Sequence, residues 1–405
     1  MNVTIKAGKA VGEVAAPFSK SMAHRLLICA SLAKGESKIH GVPKCDDVLA
    51  TIDCLTKLGA EFEYVSEDTL IVHGVDIQNS TPKDTLYCRE SGSTLRFLIP
   101  VSLVCGKNAV FSGAESLFRR PLDAYKTLSE DKGFLFSQDN NSVMLRGPIS
   151  SGEYKISGSV SSQFISGLLF ALPLLENNST VNIIPPVVSR PYIDLTLQAL
   201  REFGADAHWT DDHTVFVSGG KGFIPTETTV EGDYSGASFY AAINTIGGDI
   251  NITGLREDSL QGDKIYEKYF SLLDQGIPTI HIGDCPDLGP ILFAVAAARH
   301  GGIFTGTSRL RFKESDRASA MAAELSKFGV TVTVHDDSVV VYPTSFSSPK
   351  EYLCGHNDHR IVMSLAVLCT LTGGTITGAE AISKSFPEFF CGLKSLGIEV
   401  EEYEA

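Results

Sequence analysis

Apolar residues recur at helical spacing along this chain, and the runs end in glycine before the pattern turns to strict alternation. Four stretches end in Leu-x-x-x-Gly, at Leu55–Gly59, Leu200–Gly204, Leu325–Gly329 and Leu393–Gly397. Glycine closes a helix in the left-handed conformation, and alternation marks a half-buried strand. Two less regular copies end at Gly133 and Gly276, so the six glycines stand 74, 71, 72, 53 and 68 residues apart. A second signature, a glycine-ended helix followed by a short apolar strand, spans Gly35–Gly41, Gly106–Gly113, Gly248–Gly254, Gly302–Gly306 and Gly374–Gly378. The alternating runs pair as hairpins: Glu61–Val65 with Thr69–Val72, Ala205–Trp209 with Thr214–Val217, and Val330–Val334 with Ser338–Tyr342. Turns such as Asp139-Asn140-Asn141 and Asp211-Asp212 join such strands. Together the signatures predict an α/β fold built from a β-α-β-α-β-β unit repeated six times.

A chain of 405 residues exceeds one ordinary core. Three units fit residues 19–228 and three fit 229–405. The lone strand Asn2–Ala7 is expected to pair with the C-terminal half, which assigns residues 1–18 to that domain and makes the chain cross twice, near Ala16–Phe18 and Thr228–Glu231. With 43% apolar and 20% charged residues, the composition is that of an ordinary globular protein. Met1–Ala10 has no apolar signal-like stretch, and no segment approaches the roughly 20 apolar residues that span a bilayer, so a cytoplasmic location without membrane contact is expected. Nine scattered cysteines show neither disulfide nor zinc spacing. A net charge of −14 argues against nucleic acid, so any anionic ligand must be held by a local basic cluster.

Repetition separates scaffold from site, because capping glycines and apolar stripes recur whereas residues peculiar to one copy are free for chemistry. The peculiar residues gather at helix starts: Ser19-Lys20-Ser21 with Arg25, Ser91-Gly92-Ser93-Thr94 with Arg96, Arg119-Arg120-Pro121, Ser161-Ser162-Gln163, and Ser189-Arg190-Pro191-Tyr192. The second half adds Asp233, Asp287, Lys313-Glu314-Ser315-Asp316-Arg317, Asn357-Asp358-His359-Arg360 and Lys384. Helix starts bind anions through unpaired N–H groups and the positive end of the dipole. Taken singly these residues have plain explanations. Ser19, Ser161 and Ser189 suit N-caps, Asp287 and Asp316 offset a dipole, Lys313 and Arg317 suit a solvated face with Glu314 in a surface pair, and His359 suits a structural role. Together, six cations (Lys20, Arg25, Arg120, Lys313, Arg317, Arg360) at or near helix starts oppose the dipole preference and ask for a compensating anion. Several negative charges on the ligand fit this density. No Gly-x-x-x-x-Gly-Lys-[Ser/Thr] run and no strand-borne Gly-x-Gly-x-x-Gly is present, which disfavours ATP and dinucleotides. Glu314 and Asp287, left among the cations, suit general acid and base.

Through these motifs, joined by Pro17-Phe18, Glu231-Gly232-Asp233, Pro286-Asp287 and Lys384-Ser385-Phe386-Pro387, the chain resembles the 5-enolpyruvylshikimate-3-phosphate synthase family almost end to end. The resemblance implies the two-domain enolpyruvyl transferase fold, an inverse α/β barrel with three units per domain and the active site in the cleft between them. It implies transfer of the enolpyruvyl group of phosphoenolpyruvate to the 5-hydroxyl of shikimate 3-phosphate through a tetrahedral intermediate, with no metal or cofactor. On it, Ser21, Arg25, Ser161, Ser162, Gln163, Ser189, Tyr192 and Asp287 hold shikimate 3-phosphate. Lys20, Gly92, Arg120, Arg317, Arg360 and Lys384 hold phosphoenolpyruvate, with His359 close by and Lys313 counted among the substrate-binding residues. Asp287 is the candidate to take the hydroxyl proton, Glu314 to protonate the methylene carbon, and Lys20 to share either transfer. A monomer is expected.

Four positions depart from the commonest family pattern. Glu90 replaces an Asn, Ser93 a Thr, and Ala23-His24 a Ser-Asn pair; Glu90 is expected to pair with Arg89 or Arg309. Gly92 leaves room for a phosphonate bulkier than substrate, which implies inhibition by glyphosate. The rivals are the sister transferase acting on UDP-N-acetylglucosamine and a non-catalytic anion-binding repeat protein. The first usually carries a Cys in the loop matching Ser112–Pro121, and this loop has none. The second does not account for Glu314 and Asp287 among the cations.

Overall fold

The computed structural model describes residues 1–404. The chain forms two compact units: an inserted unit, Phe18–Glu231, and a discontinuous one in which Met1–Pro17 joins the segment from Gly232 onward. Each has its own apolar core.

The inserted unit carries three four-stranded sheets with one recurring order. Leu86–Tyr87 runs parallel to Asn108–Ser112, which is antiparallel to Ser142–Arg146, with Leu135–Gln138 beyond it. Glu153–Ser157, Ser179–Ile184, Thr214–Val217 and Ala207–Trp209 repeat the order. In the remaining sheet Glu227–Thr229 lies parallel to Glu36–His40, followed by Leu70–His73 and Glu61–Tyr64, so the unit's last strand completes its first sheet.

The discontinuous unit repeats the scheme with Thr279–His281, Gly302–Thr305, Ser338–Val341 and Val332–Val334. In its last sheet the N-terminal strand Asn2–Ile5 sits between Gly374–Thr377 and Val400–Tyr403, antiparallel to both, with Leu353–Cys354 at the edge. One copy departs from the predicted unit. Asp249–Thr253 pairs only with Val11–Ala15, and no hairpin follows the helix Tyr266–Gln275. The chain runs from Gly276 straight into Thr279–His281, which accounts for the short 53-residue spacing. Gly276 is accordingly extended, with φ 163°, whereas Gly133 at φ 75° closes its helix in the left-handed conformation.

Three helices in each unit are buried almost all round: Lys20–Leu32, Gly92–Leu103 and Ser162–Ala171 in the inserted unit, and Tyr234–Ile246, Gly289–Ala298 and His359–Thr372 in the other. Runs such as Ile291-Leu292-Phe293-Ala294-Val295-Ala296 are apolar on every face, as a helix wrapped by sheets and other helices requires. Side-chain caps mark most of the starts. Ser19 accepts from Met22 N, Ser91 from Thr94 N, Ser161 from Gln163 N, Asp233 from Ser235 N, Asp316 from Ser319 N and Asp358 from Arg360 N. Ser189 is not such a cap. Its φ is 56°, in the left-handed region, and its side chain makes no capping bond, so its conformation is imposed by its surroundings. Among the described residues no helix is long and apolar enough to cross a membrane.

Candidate active site

In the discontinuous unit the starts of the buried helices converge on one guanidinium. Arg360, second residue of the His359–Thr372 helix, donates to Ser235 Oγ at 2.7 Å, to the Asp287 carbonyl at 3.2 Å and to Asp287 Oδ2 at 3.2 Å. It thus ties together the starts of all three central helices, Asp287 lying in the short turn Pro286–Leu288 just ahead of Gly289–Ala298. Arg317, first residue of the Arg317–Lys327 helix, spans three carboxylates: Asp358 Oδ2 at 2.8 Å, Asp287 Oδ1 at 2.8 Å and Glu314 Oε2 at 2.5 Å. Lys313 Nζ reaches Asp287 Oδ1 at 3.0 Å. Burial is graded across this cluster. The Arg317 and Asp358 side chains are 1% and 0% exposed, whereas Asp287, Glu314 and Lys313 are 22%, 15% and 26% exposed. The floor is closed and the rim is open to a ligand.

The electrostatics follow from this packing. Burial alone would raise the Asp287 carboxyl, but the charges of Arg360, Lys313 and Arg317 outweigh it and hold the group well below the usual carboxylate range. Burial lowers the Lys313 ammonium, and Asp287 offsets part of that. For Arg317, burial opposes the charged form, yet Asp358, Glu314 and Asp287 together raise it further above its ordinary range. Lys384 ends the short turn of helix Ala379–Lys384 rather than starting one, and its Nζ meets the Asn357 carbonyl at 2.6 Å. His359 is buried at the first helical position, its Nδ1 4.0 Å from Asp358.

The inserted unit gathers a second cluster. Lys20 Nζ pairs with Asp47 Oδ2 at 2.8 Å. Gln163 links two helix starts, accepting from Arg96 at 2.7 Å and donating to Ser93 Oγ at 3.0 Å. A Cβ on Gly92 would lie 3.0 Å from an Arg120 nitrogen and 3.3 Å from one of Arg96, so Arg120 is packed directly over this glycine. Arg120 itself is 7% exposed and lies between the short helix Glu115–Phe118 and the helix Asp123–Lys132, not at a helix start as the sequence reading has it. Arg25 is 2% exposed and donates to Ser21 O, Tyr192 O and Thr196 Oγ1, neutral acceptors all. Burial pushes its guanidinium down to about 10, with small opposing contributions from Tyr192 and Cys29. Beside Tyr192, Arg190 stacks over Trp209 at 4.2 Å, and the indole N–H donates to Asp194 at 2.8 Å. Ser21, Ser161 and Tyr192 are part-exposed, and Ser162 and Ser189 are buried.

Two expectations need correction. Four of the six cations do not wait for an external anion to be balanced. Lys20 is matched by Asp47, and Lys313, Arg317 and Arg360 by Asp287, with Glu314 and Asp358 on Arg317. Nor is Glu314 in an exposed pair of little worth, since its partner guanidinium is buried. Arg89, one of the two partners expected for Glu90, pairs with Asp46 and Asp53. Sequence reasoning passed over Asp47, Ser235 and the tie from Asp358 to Arg317. Asp46-Asp47 at a helix start reads as a dipole effect, and only the neighbouring Lys20 shows otherwise.

Comparison with known proteins matches this architecture. A family model described as EPSP synthase (3-phosphoshikimate 1-carboxyvinyltransferase) matches residues 5–393. Curated proteins named 3-phosphoshikimate 1-carboxyvinyltransferase are similar over nearly their whole length: one from Clostridioides difficile is 36% identical over 99% of both chains, and one from Clostridium perfringens is 38% identical over 99% of both. Among solved structures, an EPSP synthase of Acinetobacter baumannii superposes with a TM-score of 0.80 at 23% identity, over 99% of this chain and 100% of that one. The enolpyruvyl transferase NikO of Streptomyces tendae gives 0.78 at 17% identity, over 99% and 98%. At those identities the structural likeness concerns the fold.

Proposed function

This chain belongs to the EPSP synthase family, and from that premise we propose that its two polar clusters act on one substrate pair. The reaction is transfer of the enolpyruvyl group of phosphoenolpyruvate to the 5-hydroxyl of shikimate 3-phosphate, with release of phosphate, a step of aromatic biosynthesis. The observation that carries the assignment of roles is Arg317 holding Asp287 and Glu314 on adjacent nitrogens at the open rim of the cluster. Two carboxylates oriented by one buried guanidinium suit the two proton transfers that addition and elimination need.

In this reading Lys20, Gly92, Arg120, Arg317, Arg360 and Lys384 hold phosphoenolpyruvate beside His359 and Lys313. Ser21, Arg25, Ser161, Ser162, Gln163, Ser189 and Tyr192 hold shikimate 3-phosphate, with Asp287 against its 5-hydroxyl. In addition, the 5-hydroxyl oxygen bonds to C2 of phosphoenolpyruvate while its proton leaves toward Asp287 and Glu314 delivers a proton to the methylene carbon. Elimination then breaks the C2–O bond to phosphate, which leaves with the proton held on Asp287, while Glu314 takes back a methyl proton and the enol ether is restored. Without ligand, Asp287 is a weak base because three cations hold it. A phosphorylated acid competes for Lys313, Arg317 and Arg360, loosens that hold and makes Asp287 more basic when substrate is present. Lys20 is the candidate to share either transfer. The enzyme is proposed to work as a monomer in the cytoplasm, where nine unpaired cysteines, seven of them buried, remain reduced.

The test is phosphate release from phosphoenolpyruvate with and without shikimate 3-phosphate and with no metal added. Release that requires shikimate 3-phosphate is expected. Release that requires UDP-N-acetylglucosamine instead would assign the sister activity. Arg120→Ala is expected to raise the KM for phosphoenolpyruvate well above tenfold and that for shikimate 3-phosphate little, because a lost charge-assisted contact costs about 1.5–3 kcal/mol. Steady-state kinetics in both substrates check it, and equal effects would remove Arg120 from the phosphoenolpyruvate site. Gly92→Ala presses a methyl against Arg120 and Arg96, a crowding of about 1–3 kcal/mol. Competitive inhibition by glyphosate is expected in the parent protein and much weakened in this variant, as inhibition assays at fixed phosphoenolpyruvate would read.

A further inference from the structure

Glu324 is a buried carboxylate with no part in the proton transfers described above, its side chain 2% exposed. It lies seven residues after Arg317 in the Arg317–Lys327 helix, two turns along the same face. Four donated bonds converge on it: one from the Cys354 backbone N–H at 2.9 Å, one from His356 Nε2 at 2.9 Å, and two from Lys327 Nζ at 3.0 and 2.8 Å. Lys327 also donates to the Tyr352 carbonyl at 3.0 Å. The carboxylate therefore fastens the segment Tyr352–His356 to this helix.

The following residues show why that fastening matters. His356 and Asn357 have φ of 50° and 52°, two consecutive non-glycine residues in the left-handed region. Such a pair persists only where its surroundings over-determine it. The turn closes with Asp358 N–H donating to the Gly355 carbonyl at 2.9 Å. It points the Asn357 carbonyl at Lys384 and delivers Asp358 to Arg317 and to Ser315 Oγ at 3.0 Å. One helix thus grips one segment twice, through Arg317 on Asp358 and through Glu324 on Cys354 and His356.

We propose that Glu324 is a positioning residue for enolpyruvyl transfer, holding the Cys354–Asn357 turn so that Lys384, Asp358 and Arg317 are set for phosphoenolpyruvate. The proposal rests on the reading that Arg317 and Lys384 bind that substrate. The ionised form suits the role: burial alone would raise the Glu324 carboxyl, but the bonds from His356, Lys327 and the Cys354 amide outweigh it and keep the group below its ordinary range.

Glu324→Leu and Glu324→Gln, with His356→Ala and His356→Gln, test this in the full chain by phosphate release, with thermal unfolding measured alongside. His356 is 30% exposed at its side chain, so its variants keep the test open should Glu324→Leu fail to fold. Glu324→Leu and His356→Ala are expected to raise the KM for phosphoenolpyruvate about tenfold, with that for shikimate 3-phosphate within about twofold. Glu324→Gln and His356→Gln keep an acceptor or a donor at the joint and should recover most of the loss. An unchanged KM for phosphoenolpyruvate in folded Glu324→Leu or in His356→Ala would overturn the positioning role. So would equal rises for both substrates, tracking a lowered Tm, which mark a merely structural carboxylate. Wild-type protein that releases no phosphate with shikimate 3-phosphate would overturn the underlying reading, and with it this proposal.

Discussion

Replacing Arg317 with methionine is expected to abolish turnover and to destabilise the discontinuous unit by about 3–5 kcal/mol, the cost of removing one partner from a buried ionic network. Methionine keeps much of the length and none of the charge. The side chain is 1% exposed, and its three nitrogens reach Asp358, Asp287 and Glu314. Without it, Asp287 keeps Lys313 and Arg360 while Asp358 and Glu314 each lose this cation, and the first turn of the Arg317–Lys327 helix loses its tie to the start of the His359–Thr372 helix. Acid sensitivity supplies an independent readout. The Asp287 carboxyl titrates lower in the folded chain than in the unfolded chain, where about 3.9 is ordinary. Its contribution to stability is therefore complete above about pH 4 and is lost as the pH falls through the depressed folded value. Arg317→Met removes one of the charges that depress it, so the onset of acid unfolding should move to higher pH. Urea unfolding at pH 7 and across a series falling below about pH 4 measures both effects. A loss below about 1 kcal/mol at pH 7 would show that the network does not hold this unit together.

Glu314→Gln is expected to slow turnover by two or more orders of magnitude while leaving the KM of both substrates largely intact. The amide oxygen can still accept from Arg317, so the local geometry survives, and only the exchangeable proton is lost. Loss of kcat without a rise in KM marks an interaction made in the transition state alone. Steady-state rates across pH give the check: near-normal turnover at any pH removes Glu314 from the mechanism.

How far this molecule could be read from its sequence depends on whether each feature is local. Gly59, Gly133, Gly204, Gly329 and Gly397 all have φ between 75° and 112°, because a helix that must stop and turn into a strand selects the one residue without a Cβ penalty. Hairpins such as Glu61–Tyr64 with Leu70–His73 follow from alternation, and the caps at Ser19, Ser91, Ser161 and Asp358 follow from side chains that bond two or three residues ahead. Gly276 misled because glycine in sequence does not state its φ. That glycine is extended, and the copy it ends lacks a hairpin. Ser189 misled in the same way, since a serine ahead of Arg-Pro looks like a cap, whereas its backbone sits at φ 56° without a capping bond.

The sequence by itself determined the repeated β-α grammar, the glycine-closed helices and most of the cations and carboxylates gathered at helix starts, because each depends on residues within a turn or a strand of one another. Only the tertiary structure decided which charges meet. Arg360 joins Ser235, 125 residues away, and Asp287, 73 residues away, and Arg317 meets Asp358 across 41. Those pairings exist because separate buried helices bring their first turns together. That is a property of packing, which no local pattern along the chain encodes.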